Sequence, residues 1–307
     1  MTIALSLIAA LILDRLFGEA SRWHPLVGFG NLAAAVEIKA NDKTMTAMGL
    51  KLRGLASLCL LITPLVAITA YISYHYNSYF IFETLLLYFA IGARSLIEHA
   101  QRIANALLSN NSNDARIFTS HIVSRDTDNM NETEMARAAI ESTLENGNDA
   151  IFAPLFWFVI GGAPAVVLYR LSNTLDAMWG YRTPRYQHFG WAAARLDDLL
   201  NYIPARLTAL TYASLGQFQN ALQCWRTQAA ACKSPNGGPV MSSGAGALAL
   251  QLGGPTVYHG QLENCPILGC GEAPLANDIL QSTQLVQRGI YLWLCIAMLI
   301  AGGFSLA

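Results

Sequence analysis

The stretch from residue 124 to residue 206 constrains the fold of this 307-residue chain most, because two polar segments enclose one apolar run. The first polar segment, Ser124 to Asp149, is rich in carboxylates, and the second extends from Asn173 to Arg206. Between them, residues 150–169 are nearly all apolar and are interrupted by Gly161-Gly-Ala-Pro164. A solvated helix face does not need charged patches on both sides of such a run. The pattern therefore predicts a reaction site held against a membrane.

The composition places the chain in the bilayer. Hydrophobic residues make up 53% of the chain and charged residues only 13%, whereas a soluble domain carries roughly 25% charged residues. Three further runs are long enough to cross about 30 Å of hydrocarbon, namely Gly54–Ile72, Tyr79–Ile97 and Gly289–Ala307. Residues 1–13 predict a short first span or an interfacial anchor. The net charge of -1 gives no electrostatic attraction to nucleic acid.

The Gly-Gly-Ala-Pro sequence breaks any helix formed by residues 150–169. If this run crossed the membrane fully, the Arg-rich segment after it would lie outside, against the positive-inside tendency. If the run instead enters the membrane and returns to the same side, every segment rich in Lys and Arg lies in the cytoplasm. We therefore predict an all-α integral membrane protein of one domain, residues 1–307, with about four transmembrane helices, a re-entrant or broken helix at 150–169 and interfacial helices.

The C-terminal third predicts a mixture of helix and loop. Residues 207–222 are moderately apolar and favour a helix on or in the membrane, and Lys233–Pro239 is a loop by its Pro and Gly content. Val240–Leu252 is rich in small residues and predicts a helix that Gly253-Gly-Pro255 ends. Residues 260–278 are expected to form irregular surface chain. The six cysteines show no metal-ligand spacing and are interpreted as buried, inert thiols.

A first group of carboxylates lies on a predicted helix that begins after Asn131 and ends at Gly147. Asn131 with Glu134 three residues later is the sequence pattern of an N-cap. Glu134, Glu141 and Glu145 follow at intervals of seven and four, so they share one helix face.

Two interpretations of this face stay open. It can be a solvated helix face on which Arg137 and Glu141 form an i,i+4 ion pair. It can also be part of a reaction site, because Glu141 and Glu145 repel each other unless a cation lies between them, and Asp149 follows directly before the apolar run.

A second group combines carboxylates with arginines. Asp176, Asp197 and Asp198 are hard oxygen donors of the kind that bind Mg²⁺ together with substrate phosphates. The interleaved arginines match phosphate geometry; they are Arg182, Arg185, Arg195 and Arg206. Together they suit a phosphoryl-transfer site, although pairing among themselves at the interface is the alternative. The chain has no P-loop sequence.

The residues of this region resemble the adenosylcobinamide-phosphate synthase family, integral membrane enzymes of cobalamin biosynthesis. The matching strings are Asp14-Arg-Leu-Phe-Gly18, His24-Pro25, Ser124-Arg-Asp-Thr127, Ala138-Ala-Ile-Glu-Ser142 with Glu145-Asn146 and Asp149, Ala153-Pro-Leu-Phe-Trp157, Asn173-Thr-Leu-Asp176, Gly180-Tyr-Arg182, Phe189-Gly-Trp-Ala-Ala-Ala-Arg-Leu-Asp-Asp198, Asn201-Tyr-Ile-Pro-Ala-Arg-Leu-Thr208, Ser234-Pro-Asn236 and Gly253-Gly-Pro-Thr-Val-Tyr258. They cover nearly the whole chain. The chain departs from the family pattern at Gly147, at Asn148 and in the loop after Asn236, which bears on substrate preference more than on reaction type.

The resemblance implies a ligase that uses ATP and Mg²⁺ to join adenosylcobyric acid to (R)-1-aminopropan-2-ol O-phosphate, or a related amino alcohol, through an amide bond. It supports a site in this region, and the residue roles are hypotheses that suit this chemistry: metal binding by Asp197, Asp198 and Asp176, and catalytic roles for Glu141, Glu145, Asp149 and Asp126. Phosphate or cofactor contacts would come from Arg182, Arg185, Arg195, Arg206, Asn146, Asn173, Asn201 and Asn236.

The resemblance also implies a location in the cell inner membrane, with the site facing the cytoplasm and with corrinoid, amino-alcohol phosphate and lipid bilayer as partners. A homo-oligomer, or a complex with later membrane enzymes of the pathway, is a further expectation. Two other classes stay open: a non-catalytic membrane paralogue acting as sensor or carrier, and a membrane prenyl or alcohol-phosphate transferase. The latter is suggested by Asp197-Asp198 followed by Asn201, but a second aspartate-rich motif is missing.

Overall fold

The computed structural model describes residues 2–19, 24–42, 44–75, 79–258 and 260–306, and these residues are predominantly helical. Four helical stretches are long and apolar enough to cross a bilayer: Ala47–His75, Phe80–Leu108, Glu132–Trp179 and Ala276–Ala301. The prediction of a helical integral membrane protein with about four spanning stretches is confirmed.

The helices, in chain order, are α1 (Thr2–Phe17), α2 (Pro25–Ala40), α3 (Ala47–His75), α4 (Tyr79–Ala90), α5 (Ala93–Leu108), α6 (Ser112–Ser120), α7 (Glu132–Gly147), α8 (Ala153–Trp179), α9 (Trp191–Leu215), α10 (Phe218–Gln228), α11 (Gly237–Leu248) and α12 (Ala276–Leu306). A π-helical turn, Asn148–Phe152, precedes α8, and a 3₁₀ turn, Ala229–Ala231, follows α10. Two strands, β1 (Gln251–Tyr258) and β2 (Gln261–Gly269), form the one sheet found among the described residues.

The helix α8 is two helical arms joined by a sharp break. Gly161 (φ -146°, ψ 21°) and Gly162 (φ 63°, ψ -153°) leave the helical conformation, and the positive φ of Gly162 suits a residue without a Cβ. Ala153 and Tyr169 pack with Leu200 in one buried cluster. A straight helix would hold Ala153 and Tyr169 about 24 Å apart at 1.5 Å per residue. The chain therefore reverses at the two glycines.

This helical hairpin confirms the predicted break within residues 150–169. The apolar part of its first arm, residues 150–160, is roughly 16 Å long at 1.5 Å per residue, about half the thickness of the hydrocarbon core. It is too short to cross alone, and this favours the re-entrant alternative.

The described residues divide into two compact units. Unit 1 contains the described parts of Met1–Gly92, Ala153–Asn201 and Ile300–Ala307, and unit 2 contains Ala93–Phe152 and Tyr202–Leu299. The sequence prediction of a single domain did not anticipate this division.

The core of unit 1 is built from α2, α3, α8 and α9, and includes the buried residues Leu61, Leu175, Trp179 and Phe189. A Cβ added to Gly54 would lie 1.9 Å from the carbonyl oxygen of Phe189. The backbone after α8 is therefore held directly against α3, which fixes the segment that carries the arginines at 182 and 185.

The core of unit 2 surrounds α7, which begins with the predicted N-cap. Asn131 and Glu134 form a complete capping box. At the other end, the buried hydroxyl of Tyr212 donates to the carbonyl of Leu144 at 3.0 Å. Gly244 of α11 lies so close to Leu144 that an added Cβ would be 2.7 Å from its methyl groups.

The prediction of irregular chain over residues 260–278 is wrong for its first half. β2 pairs antiparallel with β1, with Gln251 opposite Gly269 and Tyr258 opposite Gln261. The triplet Gly253-Gly-Pro255, interpreted as a helix stop, lies inside β1 at a break in the register. Gly253 (φ 75°) and Gly254 (φ 92°) form a local irregularity in the strand. The alternation of apolar and polar residues that identifies a strand in a sequence does not reveal it.

Helix boundaries differ from the predictions at three further places. The expected helix over 207–222 is divided at Gly216, where an added Cβ would lie 2.5 Å from the carbonyl of Ala247. The helix expected at Val240–Leu252 begins earlier, at Gly237, with Pro239 in its first turn, where no N–H partner is needed. The run Tyr79–Ile97 is broken at Ile91-Gly92, between α4 and α5.

Candidate active site

The predicted site residues fall into two groups, one in each unit. Unit 1 holds Asn173, Asp176, Arg182, Arg185, Arg195, Asp197, Asp198 and Asn201, and unit 2 holds Asp126, Glu141, Glu145, Asn146, Asp149, Arg206 and Asn236.

The group in unit 1 is centred on Asp197, whose side chain is held by two asparagines. Asn201 Nδ2 donates to Asp197 Oδ2 at 3.1 Å, and Asn173 Nδ2 donates to Asp197 Oδ1 at 3.3 Å. Asn201 follows Asp197 by one turn of α9, whereas Asn173 comes from the second arm of α8. Asp197 is only 9% exposed and Asn201 only 2%. The packing of the hairpin arm against α9 therefore creates this network, which spacing along one helix could not.

Asp176 and Asp198 complete the acidic group. The charges of Asp197 and Asp198 both act on Asp176, so the three carboxylates belong to one electrostatic cluster. Burial raises the pKa of Asp198, although the guanidinium groups of Arg195 and Arg182 oppose that rise. Arg195 Nη1 reaches Asp198 Oδ2 at 3.3 Å. Because Asp197 and Asp198 act electrostatically on Asp176, a cation bound beside these carboxylates would reduce their mutual repulsion.

The donor set suits Mg²⁺ by its chemistry: it offers hard carboxylate oxygens with amide groups next to them. Within the described part of the chain, however, no three His, Cys, Asp or Glu side chains converge as a complete metal cage. Mg²⁺ is usually bound through one or two carboxylates, with the remaining positions filled by substrate phosphates and water. The acidic group fits that partial kind of site.

The four predicted arginines differ in how strongly other groups hold them. Arg182 and Arg195 are exposed beside the acidic group. Arg185 instead makes a bidentate ion pair with Glu37 of α2, at 3.1 and 2.7 Å. Burial alone would raise the pKa of Glu37, but its hydrogen bonds from Arg185 and Asn41 outweigh burial and leave that pKa lowered. The ion pair of Arg185 thus links α2 to the segment after α8.

In unit 2, Arg206 likewise links two segments, α9 and the loop before α11. Its guanidinium donates to Asn236 Oδ1 at 2.6 Å and to the carbonyl of Pro235 at 3.1 Å, and it lies 3.7 Å from the ring centre of Tyr202. Burial lowers its pKa. The residue that the sequence assigned to phosphate therefore fixes the loop before α11 and aligns the amide of Asn236.

Glu141 is a buried carboxylate with two partners. It forms an ion pair with Arg125, and its Oε1 accepts the backbone N–H of Gly253 at 2.7 Å. The alternative pair between Arg137 and Glu141 is not among the ion pairs of the described residues. Its partner Arg125 comes from the Ser124–Thr127 segment, which no helical spacing relates to Glu141.

Asp126, next to Arg125, holds the far end of β1. Its backbone N–H donates to the carbonyl of Val257 at 3.1 Å, and its Oδ2 accepts the N–H of Gly260 at 2.6 Å. Glu141 and Asp126 therefore secure the start and the end of β1, respectively. Residue 259, a histidine noted in the sequence, lies outside the described residues.

The remaining carboxylates of unit 2 lie at the end of α7. Glu145 is close to the loop before α11, where a Cβ on Gly237 would be 2.6 Å from its Oε1. Asp149 accepts from Asn148 Nδ2 at 2.8 Å, and Asn148 in turn accepts from the hydroxyl of Thr208 at 2.9 Å. Asn148 and Asp149 belong to the π-helical turn, a feature common at functional sites. Asn146 is exposed and donates back to Ser142 O at 2.9 Å.

Four residues that contact the predicted site residues or their neighbours were missed from the sequence: Tyr169, Glu37, Arg125 and Thr208. Each acts through a partner far away in the sequence, such as Tyr169 and Asn201, which are 32 residues apart. No local periodicity carries such a signal. The motif Ser124-Arg-Asp-Thr127 did include Arg125, but only its neighbour Asp126 was assigned a role.

Comparison with known proteins identifies the family. The family model described as CobD/Cbib protein matches residues 7–286. The chain is 52% identical to "Cobalamin biosynthesis protein CobD" of Stutzerimonas stutzeri over 307 residues, which is 100% of both chains. It is 52% identical to the protein of the same name from Chromobacterium violaceum over 301 residues, covering 97% of this chain and 96% of the relative. A third relative, from Halalkalibacterium halodurans, is 36% identical over 99% of this chain and 98% of its own length.

No solved structure matches the chain. Matches of this extent and identity confirm the resemblance that the central motifs indicated, and they connect the helical membrane fold described above to cobalamin biosynthesis. The chain belongs to the CobD/Cbib family of cobalamin biosynthesis proteins.

Proposed function

We propose that this protein is an ATP-dependent ligase that joins adenosylcobyric acid to (R)-1-aminopropan-2-ol O-phosphate, or a related amino alcohol, and forms adenosylcobinamide phosphate. The observation that carries the proposal is the acidic group of unit 1, in which Asn173 and Asn201 hold Asp197 by hydrogen bonds and Arg195 pairs with Asp198. Membership of the family supports the pathway.

Such a reaction needs an activated carboxylate, because a propionate oxygen is a poor leaving group. An oxygen of the propionate attacks the γ-phosphorus of ATP, the bond from that phosphorus to ADP breaks, and an acyl phosphate forms. The amine nitrogen then attacks the acyl carbon, the carbon–oxygen bond to phosphate breaks, and the nitrogen loses a proton. The products are the amide, ADP and inorganic phosphate.

In this proposal, Asp197 and Asp198, with Asp176, hold Mg²⁺, which when bound neutralises and orients the ATP phosphates. Arg182 and Arg195 contact phosphate oxygens, because their guanidinium groups are exposed beside the carboxylates.

Glu141 or Glu145 would take the proton from the amine. Glu141 also pairs with Arg125 and accepts the N–H of Gly253. Asp126, Arg185 and Arg206 act as positioning residues, since each fixes a loop or strand by direct hydrogen bonds. We place the protein in the cell inner membrane, with its site facing the cytoplasm where ATP is present.

The direct test is to incubate the purified protein in detergent with adenosylcobyric acid, aminopropanol phosphate and Mg-ATP, and to look for the amide and ADP by mass spectrometry. The Asp197→Asn/Asp198→Asn double variant should lose turnover by at least about 10³-fold, because transition-state charge stabilisation of this kind is worth several kcal/mol, and it should still fold. Asp114→Asn, an exposed carboxylate in α6, is the matched control and should keep its activity. Absence of amide with any amino alcohol, from folded wild-type protein, would refute the proposal.

A further inference from the structure

Tyr169 carries a fully buried hydroxyl in the second arm of the helical hairpin. The residue is 0% exposed, and its hydroxyl donates to Asn201 Oδ1 at 3.0 Å. Asn201 Nδ2 donates in turn to Asp197 Oδ2 at 3.1 Å. A chain of two hydrogen bonds therefore runs from the hairpin arm to the central carboxylate of the acidic group.

The direction of this chain is set at Asp197, because an ionised carboxylate only accepts hydrogen bonds. An asparagine amide has an accepting end and a donating end. Asn201 therefore turns its NH₂ group toward Asp197, since the opposite orientation would place an amide oxygen against a carboxylate oxygen, which is repulsive. Its Oδ1 then faces Tyr169, whose hydroxyl donates to it. Tyr169 thus anchors the amide that holds Asp197.

The second oxygen of Asp197 is fixed by a parallel route on the same arm. Arg170 Nη1 donates to Asn173 Oδ1 at 3.3 Å, and Asn173 Nδ2 donates to Asp197 Oδ1 at 3.3 Å. In both routes a donor on the arm orients an asparagine, and the asparagine holds one carboxylate oxygen. The repeated arrangement indicates that the orientation of the carboxylate plane matters, beyond the packing of the arm.

Packing alone does not account for a tyrosine here. The ring packs with Ala153 and Leu200, and a phenylalanine would fill the same space. A buried hydroxyl without a partner is unfavourable, so it is stabilising only as part of the network that it completes.

We propose that Tyr169 is a positioning residue that, through Asn201, holds the Asp197 carboxylate in the orientation needed to bind a divalent cation. The proposal deepens the function proposed above, because it rests on the assignment of Asp197 to Mg²⁺. Its test measures cation binding directly, so it does not depend on whether the protein forms the amide.

The experiment measures the dissociation constant of Mn²⁺ alone, as a probe for Mg²⁺, by electron paramagnetic resonance on the full-length protein in detergent. Tyr169→Phe removes only the hydroxyl. The matched control is Tyr212→Phe in unit 2, which is also 0% exposed and whose hydroxyl donates to the backbone carbonyl of Leu144. Thermal unfolding of each variant measures the structural cost separately.

Tyr169→Phe should weaken Mn²⁺ binding roughly 3- to 12-fold, the factor that corresponds to one hydrogen bond between neutral groups. Tyr212→Phe should leave the constant unchanged within twofold. In an Asn201→Ala background, the further change of Tyr169 should have no effect on Mn²⁺ affinity, because the intermediary is missing. The inference would be overturned if the wild type and Tyr169→Phe bound Mn²⁺ with equal affinity. It would also be overturned if Tyr169→Phe and Tyr212→Phe lost Mn²⁺ affinity equally, or if the wild-type protein bound no Mn²⁺. Mn²⁺ binding without amide formation would instead refute the proposed reaction while leaving this inference standing.

Discussion

The ion pair between Arg125 and Glu141 allows a quantitative test of how the Ser124–Thr127 segment contributes to stability. The side chains of Arg125 and Glu141 are 15% and 5% exposed, respectively. Removing one partner of a buried pair typically costs 3–5 kcal/mol, because a charge is left buried without compensation. Arg125→Met leaves the charge of Glu141, the more buried side chain, so we expect the free energy of unfolding to fall by about 4 kcal/mol. Glu141→Gln leaves the charge of Arg125, which is more exposed, and should lower the free energy of unfolding by about 3 kcal/mol.

The double variant Arg125→Met/Glu141→Gln separates the ion pair from the other contact of Glu141. It removes both charges but keeps a side-chain oxygen that can accept from the N–H of Gly253. The double variant should therefore be less destabilised than the sum of the singles by at least about 2 kcal/mol, a coupling expected for side chains in direct contact. Reversible unfolding in mixed detergent, followed by circular dichroism, measures each free energy of unfolding.

The control is the exposed ion pair of Lys233 and Glu263, whose side chains are 76% and 41% exposed. Lys233→Met should cost no more than about 1 kcal/mol, because exposed pairs contribute little. The interpretation of Arg125–Glu141 as a buried structural pair would be wrong if Arg125→Met were destabilised by less than 1 kcal/mol, or if the two single effects simply added.

Two further predictions concern packing and pH. Gly147→Ala places a Cβ 2.3 Å from the hydroxyl of Tyr212 and should lower the free energy of unfolding by about 1–3 kcal/mol. Gly28→Ala in α2 meets nothing within 4 Å and should raise the free energy of unfolding by about 0.5–1 kcal/mol. The same unfolding assay tests both variants, and equal effects would contradict the packing argument. Burial, then Glu145 and Glu141, raise the pKa of the Cys232 thiol to about 11. The rate of its alkylation by iodoacetamide should therefore still rise about tenfold per pH unit between pH 8.5 and 10. The rate for an unperturbed cysteine in a short peptide levels off in this range, because its pKa is about 8.5. Peptide mass spectrometry measures the rate at Cys232, and a plateau below pH 9 would contradict the assigned environment.

Local sequence signals predicted the helices well because their causes are local. The Asn131–Glu134 capping box and the break at Gly161-Gly162 follow from residues within one turn of each other, and both are present in the structure. The β-hairpin was missed because its strands are stabilised by partners such as Gly253 with Glu141, which is 112 residues away. The interruption by Gly253-Gly-Pro255 also removed the alternating pattern that identifies a strand.

Motif positions in the candidate site were easier to predict than the tasks of the residues. The sequence assigned the carboxylates at 176, 197 and 198 to one metal site, and that assignment stays a prediction. Which arginine forms a structural ion pair was not predictable, because Arg182 and Arg185 look equivalent in the sequence. Only the fold shows that Glu37 of α2 holds Arg185.

The glycine break in α8 has a consequence for how the chain enters the membrane. Non-helical backbone leaves polar groups that lipid cannot satisfy, each at a penalty of several kcal/mol, so the arms of the hairpin depend on surrounding protein. The helices α3 and α4 pack against α8, and Glu83 of α4 lies beside Gly162. Both helices precede α8 in the chain and therefore emerge from the ribosome first. Biogenesis can thus proceed in sequence order, with the earlier spans forming the protein environment that receives the hairpin.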